Sequence, residues 1–356
     1  MSAQRHARLH FSTETKAAET HTNLSAIRTD GAVLWVAGDE STTIERLTRQ
    51  PGGHGVTYDD EVSFRLSDLV SLPSGEDSEE ADLEGLARDG RYLWAVGSHS
   101  LKRSRVKDRH DGEKAFSRLG TVKSEANRHI LVRIPVVDVD GMPTLARETE
   151  IDGNVEYAAM LGGHSDSLND LLKRDPHVGP FLSIPSKDNG FDVEGIAAFG
   201  DRVFVGLRGP VLRGWAIVIE LRLTPTRKNP RRLKARRLEN GARYRKHMFD
   251  LGGLGVRDLC TQGDDILVLA GPTMDLDGPV TVFRWHGAAA ADEQLVVRGD
   301  RLTPELELPY GKGDDHAEGI ALLGTTEEPE LLVVYDSPGE HRKNPKLGML
   351  ADRFTL

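Results

Sequence analysis

Three glutamates occur in one short pattern that the sequence repeats. Glu84, Glu194 and Glu318 each precede a glycine, an apolar residue and an alanine, and each pattern is followed by a polar turn and a β-rich run. Carboxylates of this kind bind divalent cations or transfer protons. Three of them at one place repel each other unless a cation or basic side chains lie among them. Their chemistry therefore depends on whether the fold brings them together.

Two weaker copies of the pattern complete a series of five. They are "NLSAIRTDGAVLWVAGDES" (23–41) and "GVRDLCTQGDDILVLAGPT" (255–273), with Ser25 and Arg257 in place of the glutamate. The five positions are separated by 59, 110, 63 and 61 residues. A step of about 60 residues suits one four-stranded blade of a β-propeller with its loops.

Each copy predicts two strands joined by a tight turn, because Asp-Gly or Gly-Asp between β-rich runs is a hairpin signal. Further strands are predicted at 42–49, 62–70, 129–137, 144–151, 215–223, 244–251, 280–286, 305–310 and 349–356. The last repeat lacks one strand, and residues 6–12 have no repeat of their own. We therefore predict an all-β fold, a five-bladed β-propeller in which residues 6–12 pair with the last blade and close the ring.

The 110-residue step leaves a six-bladed ring as the alternative. The sequence of 152–191 favours a long loop with a short helix over another blade. The whole chain, 1–356, is predicted to be one domain. The insertions 98–128 and 152–191 should lie on the face where the first strands begin, which we call the hub mouth, and the basic connection 222–247 on the opposite face.

The starts of the first strands and the ends of the second strands converge at the hub mouth. The candidate catalytic residues there are Glu84, Glu194, Glu318, Asp39, His99 and Asp336, and the candidate ligand-binding residues are Arg208 and Arg257. Glu84, Glu194 and Glu318 are predicted ligands of Ca²⁺ or Mg²⁺. A structural role is the alternative, in which each glutamate binds backbone N–H groups or arginines of a neighbouring blade.

Composition limits the classes of function. The formal net charge of −10 argues against general nucleic-acid binding, and the single cysteine, Cys260, excludes an internal disulfide and fits a reducing compartment. No apolar stretch of about 18 residues occurs, and the first residues lack the apolar core of a secretory signal. We expect a cytoplasmic protein that does not insert into membranes.

The repeats and the "LRGP" strand end (207–210) resemble the DUF3616 family of bacterial proteins of unknown function. More remotely, the "EGIA" repeats are similar to esterase-like phytases, to SMP-30 and strictosidine-synthase propellers and to apyrases. Those resemblances imply Ca²⁺ in the hub and hydrolysis of a phosphoester or ester. Ser25 and Arg257 depart from a fully acidic ring.

Three functions follow as hypotheses. The first is a metal-assisted hydrolase of an anionic small molecule, in which Arg208 and Arg257 hold the anion. The second is a propeller that binds a small anionic ligand or a protein partner without turnover. The third is a scaffold whose basic segment 222–247 contacts another macromolecule.

Overall fold

A computed structural model describes residues 5–17, 19–52, 55–75, 79–162, 167–274, 276–325, 327–344 and 348–356. Most of these residues lie in strands, and the helices are short: α1 (Thr13–Ala17), α2 (Leu66–Leu69), α3 (Gly112–Gly120) and α4 (Leu168–Leu172). In the described part of the chain, no helix has the length and apolar character needed to cross a membrane.

The strands are grouped by repeat along the chain. Strand β1 (Arg5–Leu9) precedes the first repeat, which contains β2 (Leu24–Asp30), β3 (Val33–Gly38), β4 (Thr43–Arg49) and β5 (Val56–Arg65). The second repeat contains β6 (Leu83–Asp89), β7 (Tyr92–Gly97), β8 (Lys102–Arg103), β9 (Val122–Lys123), β10 (Leu131–Val139), β11 (Met142–Leu145), β12 (Glu148–Ile151), β13 (Asn154–Tyr157) and β14 (Ala159–Leu161).

The remaining repeats follow the same order. The third contains β15 (Asp192–Phe199), β16 (Arg202–Gly209), β17 (Trp215–Pro225), β18 (Arg232–Ala235) and β19 (Tyr244–Asp250). The fourth contains β20 (Gly255–Gln262), β21 (Asp265–Gly271), β22 (Val280–Trp285), β23 (Val296–Val297) and β24 (Leu302–Leu308). The last contains β25 (His316–Gly324), β26 (Pro329–Asp336), β27 (Lys343–Asn344) and β28 (Gly348–Thr355).

Every predicted hairpin is present. The pairs β2–β3, β6–β7, β15–β16, β20–β21 and β25–β26 are all antiparallel. Gly31 and Gly90 occupy the turns of the first two with φ of 61° and 50°. This backbone region is open to glycine at little steric cost, which explains the turn signal in the sequence.

The predicted fourth strand of the second repeat, at 144–151, is wrong. β11 pairs with the end of β10 and β14 with its beginning, while β13 is the only partner of β12 among the described strands. β14 also pairs in parallel with β18 of the third repeat. The fourth position is therefore split between two short strands, because the chain leaves the sheet at β12 and β13 and returns to it at β14.

The N-terminal strand pairs with the last repeat, as the orphan segment predicted. β1 is antiparallel to β28, with Ala7 opposite Ala351, and parallel to β5 of the first repeat, with Leu9 opposite Tyr58. The side chains of Ala7 and Leu9 are fully buried. One strand therefore joins the two ends of the chain and covers two sheet edges.

The first strands follow one another around a common axis. β6 contacts β2 and β15, β20 contacts β15 and β25, and β25 contacts β2. Clusters of buried apolar side chains lie between each pair of successive repeats and between the last and the first. The protein is therefore mostly β, with curled and nearly closed sheets whose first strands surround the hub.

Candidate functional site

The residue in the glutamate position is a β-bulge in all five repeats. Strand pairing skips Ser25, Glu84, Glu194, Arg257 and Glu318, while the residues on either side keep partners in the second strand. A bulge adds one residue to a strand and redirects its side chain. The shared bulge explains how this position supplies the charged groups of Glu84, Glu194, Arg257 and Glu318 to the hub.

The glycine after the glutamate allows two first strands to come close. A Cβ added to Gly195 would lie 2.9 Å from the Cα atom of Asp258, and one added to Gly85 would lie 3.0 Å from the backbone nitrogen of Ile196. Side chains at these positions would push neighbouring strands apart. In the Glu-Gly pair, the glycine therefore serves packing, while the glutamate is left for the hub mouth.

Two arginines join the carboxylates of the third and last repeats. Arg208 contacts Asp192 at 2.5 Å and Glu194 at 2.6 Å. Arg257 contacts Glu194 at 3.0 Å through Nε and donates to Glu318 through Nη2. All five residues are buried. Burial raises the pKa of Glu194 and Glu318 to about 7 despite these arginines, because desolvation disfavours the charged form.

Asp39 and Glu84 remain without a cationic partner. Within the described residues, neither side chain forms an ion pair or a hydrogen bond, and Oδ1 of Asp39 is buried. Desolvation and the carboxylate of Asp82 raise the pKa of Asp39 from 3.8 to about 9 and that of Glu84 well above its usual value. Asp82 itself is paired with Arg128. Asp39 therefore carries a proton at neutral pH.

We expect the Asp39→Asn variant to be more stable than the parent protein at alkaline pH. A raised carboxyl pKa means that the folded state holds a proton that the unfolded state has released. Its contribution to stability is therefore full below about pH 4 and is lost as the pH rises through 9. An amide imitates the protonated acid and does not ionise.

Urea denaturation at pH 5 and pH 9.5 should show a stability advantage of the variant over the parent that is smaller at pH 5 than at pH 9.5. At pH 9.5 the variant should gain at least about 1 kcal/mol over the parent. Asp300 is exposed, so Asp300→Asn should give no pH-dependent difference. An equal change in the stability of Asp39→Asn at both pH values would contradict the expectation.

The three predicted metal ligands do not form one set of carboxylates free to coordinate a cation. The Arg257 guanidinium contacts both Glu194 and Glu318, and only Glu84 of the three lacks such a partner. Over the described ranges, no group of three or more His, Cys, Asp or Glu side chains is arranged to hold a metal ion. A divalent cation would have to displace or repel the guanidinium. Calcium or magnesium binding stays a prediction.

A cavity of about 310 Å³ opens beside these groups. Its charged lining includes Arg105, Lys187, Arg208, Arg257, Glu318 and Asp336. The first two come from the insertions 98–128 and 152–191. Met274, Leu276 and Tyr310 provide an apolar wall, and their residues are 41%, 61% and 51% exposed. The cavity therefore combines both signs of charge with apolar surface.

His99 lies away from this lining. Its Nε2 is 3.1 Å from the carbonyl oxygen of Ile130, its ring packs edge-on against His129, and its own carbonyl accepts from Asn169. Burial lowers its pKa to about 3, so the ring is neutral. Asp336, in contrast, lines the cavity, and its carboxylate accepts from Ser337 at 3.3 Å. Of the candidate catalytic residues, the structure therefore places Glu318 and Asp336 in the lining.

The sequence analysis missed an ion pair in the centre of the hub. Arg28 of β2 contacts both carboxylate oxygens of Asp258 of β20, at 2.8 and 3.2 Å. Its guanidinium also donates to the carbonyls of Ile27, Ile196, Leu259 and Ile320. The pair thus connects β2, β15, β20 and β25. Both residues were visible as departures from the repeat, since the other copies have Ala or Cys at the first position and Gly or Ala at the second.

Repeated hairpins around a charged, partly unpaired hub define a mostly β protein with curled, nearly closed sheets. Residues 23–352 match the family described as "Protein of unknown function (DUF3616)", and the chain belongs to that family. No curated protein matches the chain by sequence.

Solved structures resemble the chain only distantly. Glutaminyl cyclase from Myxococcus xanthus has 8% identity and a TM-score of 0.38, with 99% of this chain and 98% of that chain covered. The allergen Mala s 1 from Malassezia sympodialis has 10% identity and a TM-score of 0.38, with 94% and 93% covered. At these TM-scores, the resemblance supports no conclusion about activity.

Proposed function

We propose that the protein is a five-bladed β-propeller that binds a small charged molecule at the hub mouth. The blade number is supported by five hairpins in sequence, by first strands that contact one another in a cycle, and by the pairing of β1 with β28. Arg105 and Lys187 line one cavity, which supports placing both long insertions at the hub mouth. The same proposal places the basic connection 222–247 at the opposite face.

Ionisable side chains without a protein partner, close to an open cavity, are the observation on which the proposal rests. Asp39 and Glu84 lack partners, and the Arg105 guanidinium has none in the described parts of the chain. Buried acids without a partner, such as Asp39 and Glu84, destabilise the folded state whether they are protonated or ionised. A bound molecule that pairs with them would relieve this penalty.

Binding is favoured over metal-assisted hydrolysis because the arginines meant to hold an anion already contact carboxylates. Arg208 and Arg257 together contact Asp192, Glu194 and Glu318. Arg105 and Lys187 still support the predicted anionic group of a ligand, whereas Asp336 supports a cationic one. A hydrolase is the second candidate, because a protonated Asp39 could act as a general acid.

A thermal-melt panel tests the proposal. The chelator-treated protein is heated with small anions, cations and zwitterions and with Ca²⁺ and Mg²⁺. At one hundred times its Kd, a ligand of the folded state adds about 2.7 kcal/mol of stability. We expect at least one small molecule to raise the melting temperature, and Asp336→Asn or Arg105→Ala to reduce that rise.

Asp300→Asn and Arg109→Ala are the matched controls, since both residues are exposed and outside the cavity lining. A panel with no stabilising compound, or a rise that both cavity variants retain, would contradict binding at the hub mouth. A rise with Ca²⁺ alone that Glu84→Gln abolishes would favour the metal-dependent candidate instead.

A further inference from the structure

The charges of the cavity and hub mouth differ in how far the protein itself satisfies them. Arg208 and Arg257 are paired with buried carboxylates. Arg105 is exposed on the 98–128 insertion and has no acidic partner among the described residues. A ligand therefore gains more from Arg105 than from the two buried arginines.

The acidic groups also differ in whether the protein itself provides a partner for them. Glu318 is held by Arg257, whereas the Ser337 hydroxyl is the only side-chain partner of Asp336 among the described residues. Asp39 and Glu84 lie close enough to Glu318 for its charge to raise the pKa of both. On the hub side of the cavity, the carboxylate of Asp336 therefore has no cationic partner among the described residues.

Lys187 adds positive potential to the same cavity. It lines the cavity together with Arg105, and its charge lowers the pKa of Glu194 and of Glu318. A purely anionic ligand would be attracted by Arg105 and Lys187 and repelled by Asp336. A purely cationic ligand would meet the opposite combination. Only a molecule with both charges uses both sets.

The apolar part of the cavity lining indicates that the ligand also has an apolar group. Met274, Leu276 and Tyr310 are all substantially exposed, although apolar side chains gain by leaving water. All three belong to the lining that contains Arg105 and Asp336. An apolar group between the two charges of a ligand would cover this wall.

We propose that the hub mouth binds a small zwitterion with an apolar side chain, of the amino-acid class. Its carboxylate contacts Arg105, its ammonium group contacts Asp336, and its side chain packs against Met274, Leu276 and Tyr310. This inference rests on the proposed function, because it names the class of molecule that the same cavity receives.

Titration calorimetry with L-leucine, leucinamide and N-acetyl-L-leucine at pH 7.5 tests the proposal. Leucinamide lacks the carboxylate, and N-acetyl-L-leucine lacks the ammonium group. We expect L-leucine to bind at least about tenfold more tightly than either analogue, since each loses one charged hydrogen bond. Arg105→Ala should weaken L-leucine and N-acetyl-L-leucine but not leucinamide. Asp336→Asn should weaken L-leucine and leucinamide but not N-acetyl-L-leucine.

The controls Arg109→Ala and Asp300→Asn should bind L-leucine like the parent protein. Equal or tighter binding of N-acetyl-L-leucine would show an anion site, and equal or tighter binding of leucinamide a cation site. Either result overturns the zwitterion and leaves the proposed function standing. If L-leucine does not bind, while another compound of the melt panel binds and Arg105→Ala weakens its binding, only the proposal of a zwitterionic ligand is contradicted. If no compound binds, both proposals fall.

Discussion

Replacing Arg28 with methionine is expected to lower the free energy of unfolding by about 3–5 kcal/mol, because it leaves a buried carboxylate without its cation. Both Arg28 and Asp258 are buried, and their contact is bidentate. Burial already raises the pKa of Asp258 to about 6 with the arginine present. Without it, Asp258 must take up a proton or remain charged in the hub.

Equilibrium urea denaturation of the parent and the variant measures the loss. The double variant Arg28→Met with Asp258→Ala should be less destabilised than the sum of the single variants, by about 0.5–3 kcal/mol. Arg109→Met, on the exposed part of the 98–128 insertion, should have no effect beyond about 0.5 kcal/mol. Additive single variants would show that the pair does not stabilise the hub as one unit.

Deletion of residues 1–12 should lower the melting temperature by about 10 °C or more, or prevent folding. The deletion removes β1, which pairs with β28 and with β5, and it removes the buried side chains of Leu9 and Phe11. Two sheet edges and the apolar cluster between the last and first repeats become exposed together. The folded state then loses both strand pairing and core packing.

Point variants keep this prediction testable if the deletion does not fold. Leu9→Ala should cost about 2–5 kcal/mol, as for other buried leucines. Arg8→Ala, on the exposed side of the same strand, should change stability by less than about 0.5 kcal/mol. A melting temperature that the deletion leaves unchanged would contradict the role of β1 in joining the ends of the chain.

The hairpins were predictable because their signals are local. A turn such as Asp89-Gly90 between two β-rich runs specifies both strands and their direction. The split strand beside β10 was not predictable in this way, since β14 pairs across repeats with β18, and no sequence spacing reports that contact. The local sequence therefore predicts the hairpins of the repeats better than it predicts the outer strands of each sheet.

Departures from the repeat were the most informative positions in the hub. Arg257 is the one arginine in the series, and it contacts the glutamates of the two adjacent repeats, Glu194 and Glu318. Arg28 and Asp258 depart from the pattern in the same way and compensate each other. Comparing every column of the repeat, and not only the glutamate column, would have found this pair.

The cavity wall could not be predicted from the repeat. Met274, Leu276 and Tyr310 follow the end of β21 or β24, in connections that differ between repeats, and Arg105 lies in an insertion. Nothing in the spacing of these residues shows that they share one cavity. The contribution of loops to binding surfaces is general, because loops vary while the strands that carry them are retained.

The bulge shared by the five first strands separates the residues that can change from those that must stay. A bulged residue has no partner in the adjacent strand, so Ser, Glu and Arg occupy this position without altering the pairing around it. The neighbouring glycine has no such freedom where another first strand lies against it. Exchanges at these five positions can therefore change the charge of the hub while the strand pairing that forms the scaffold is kept.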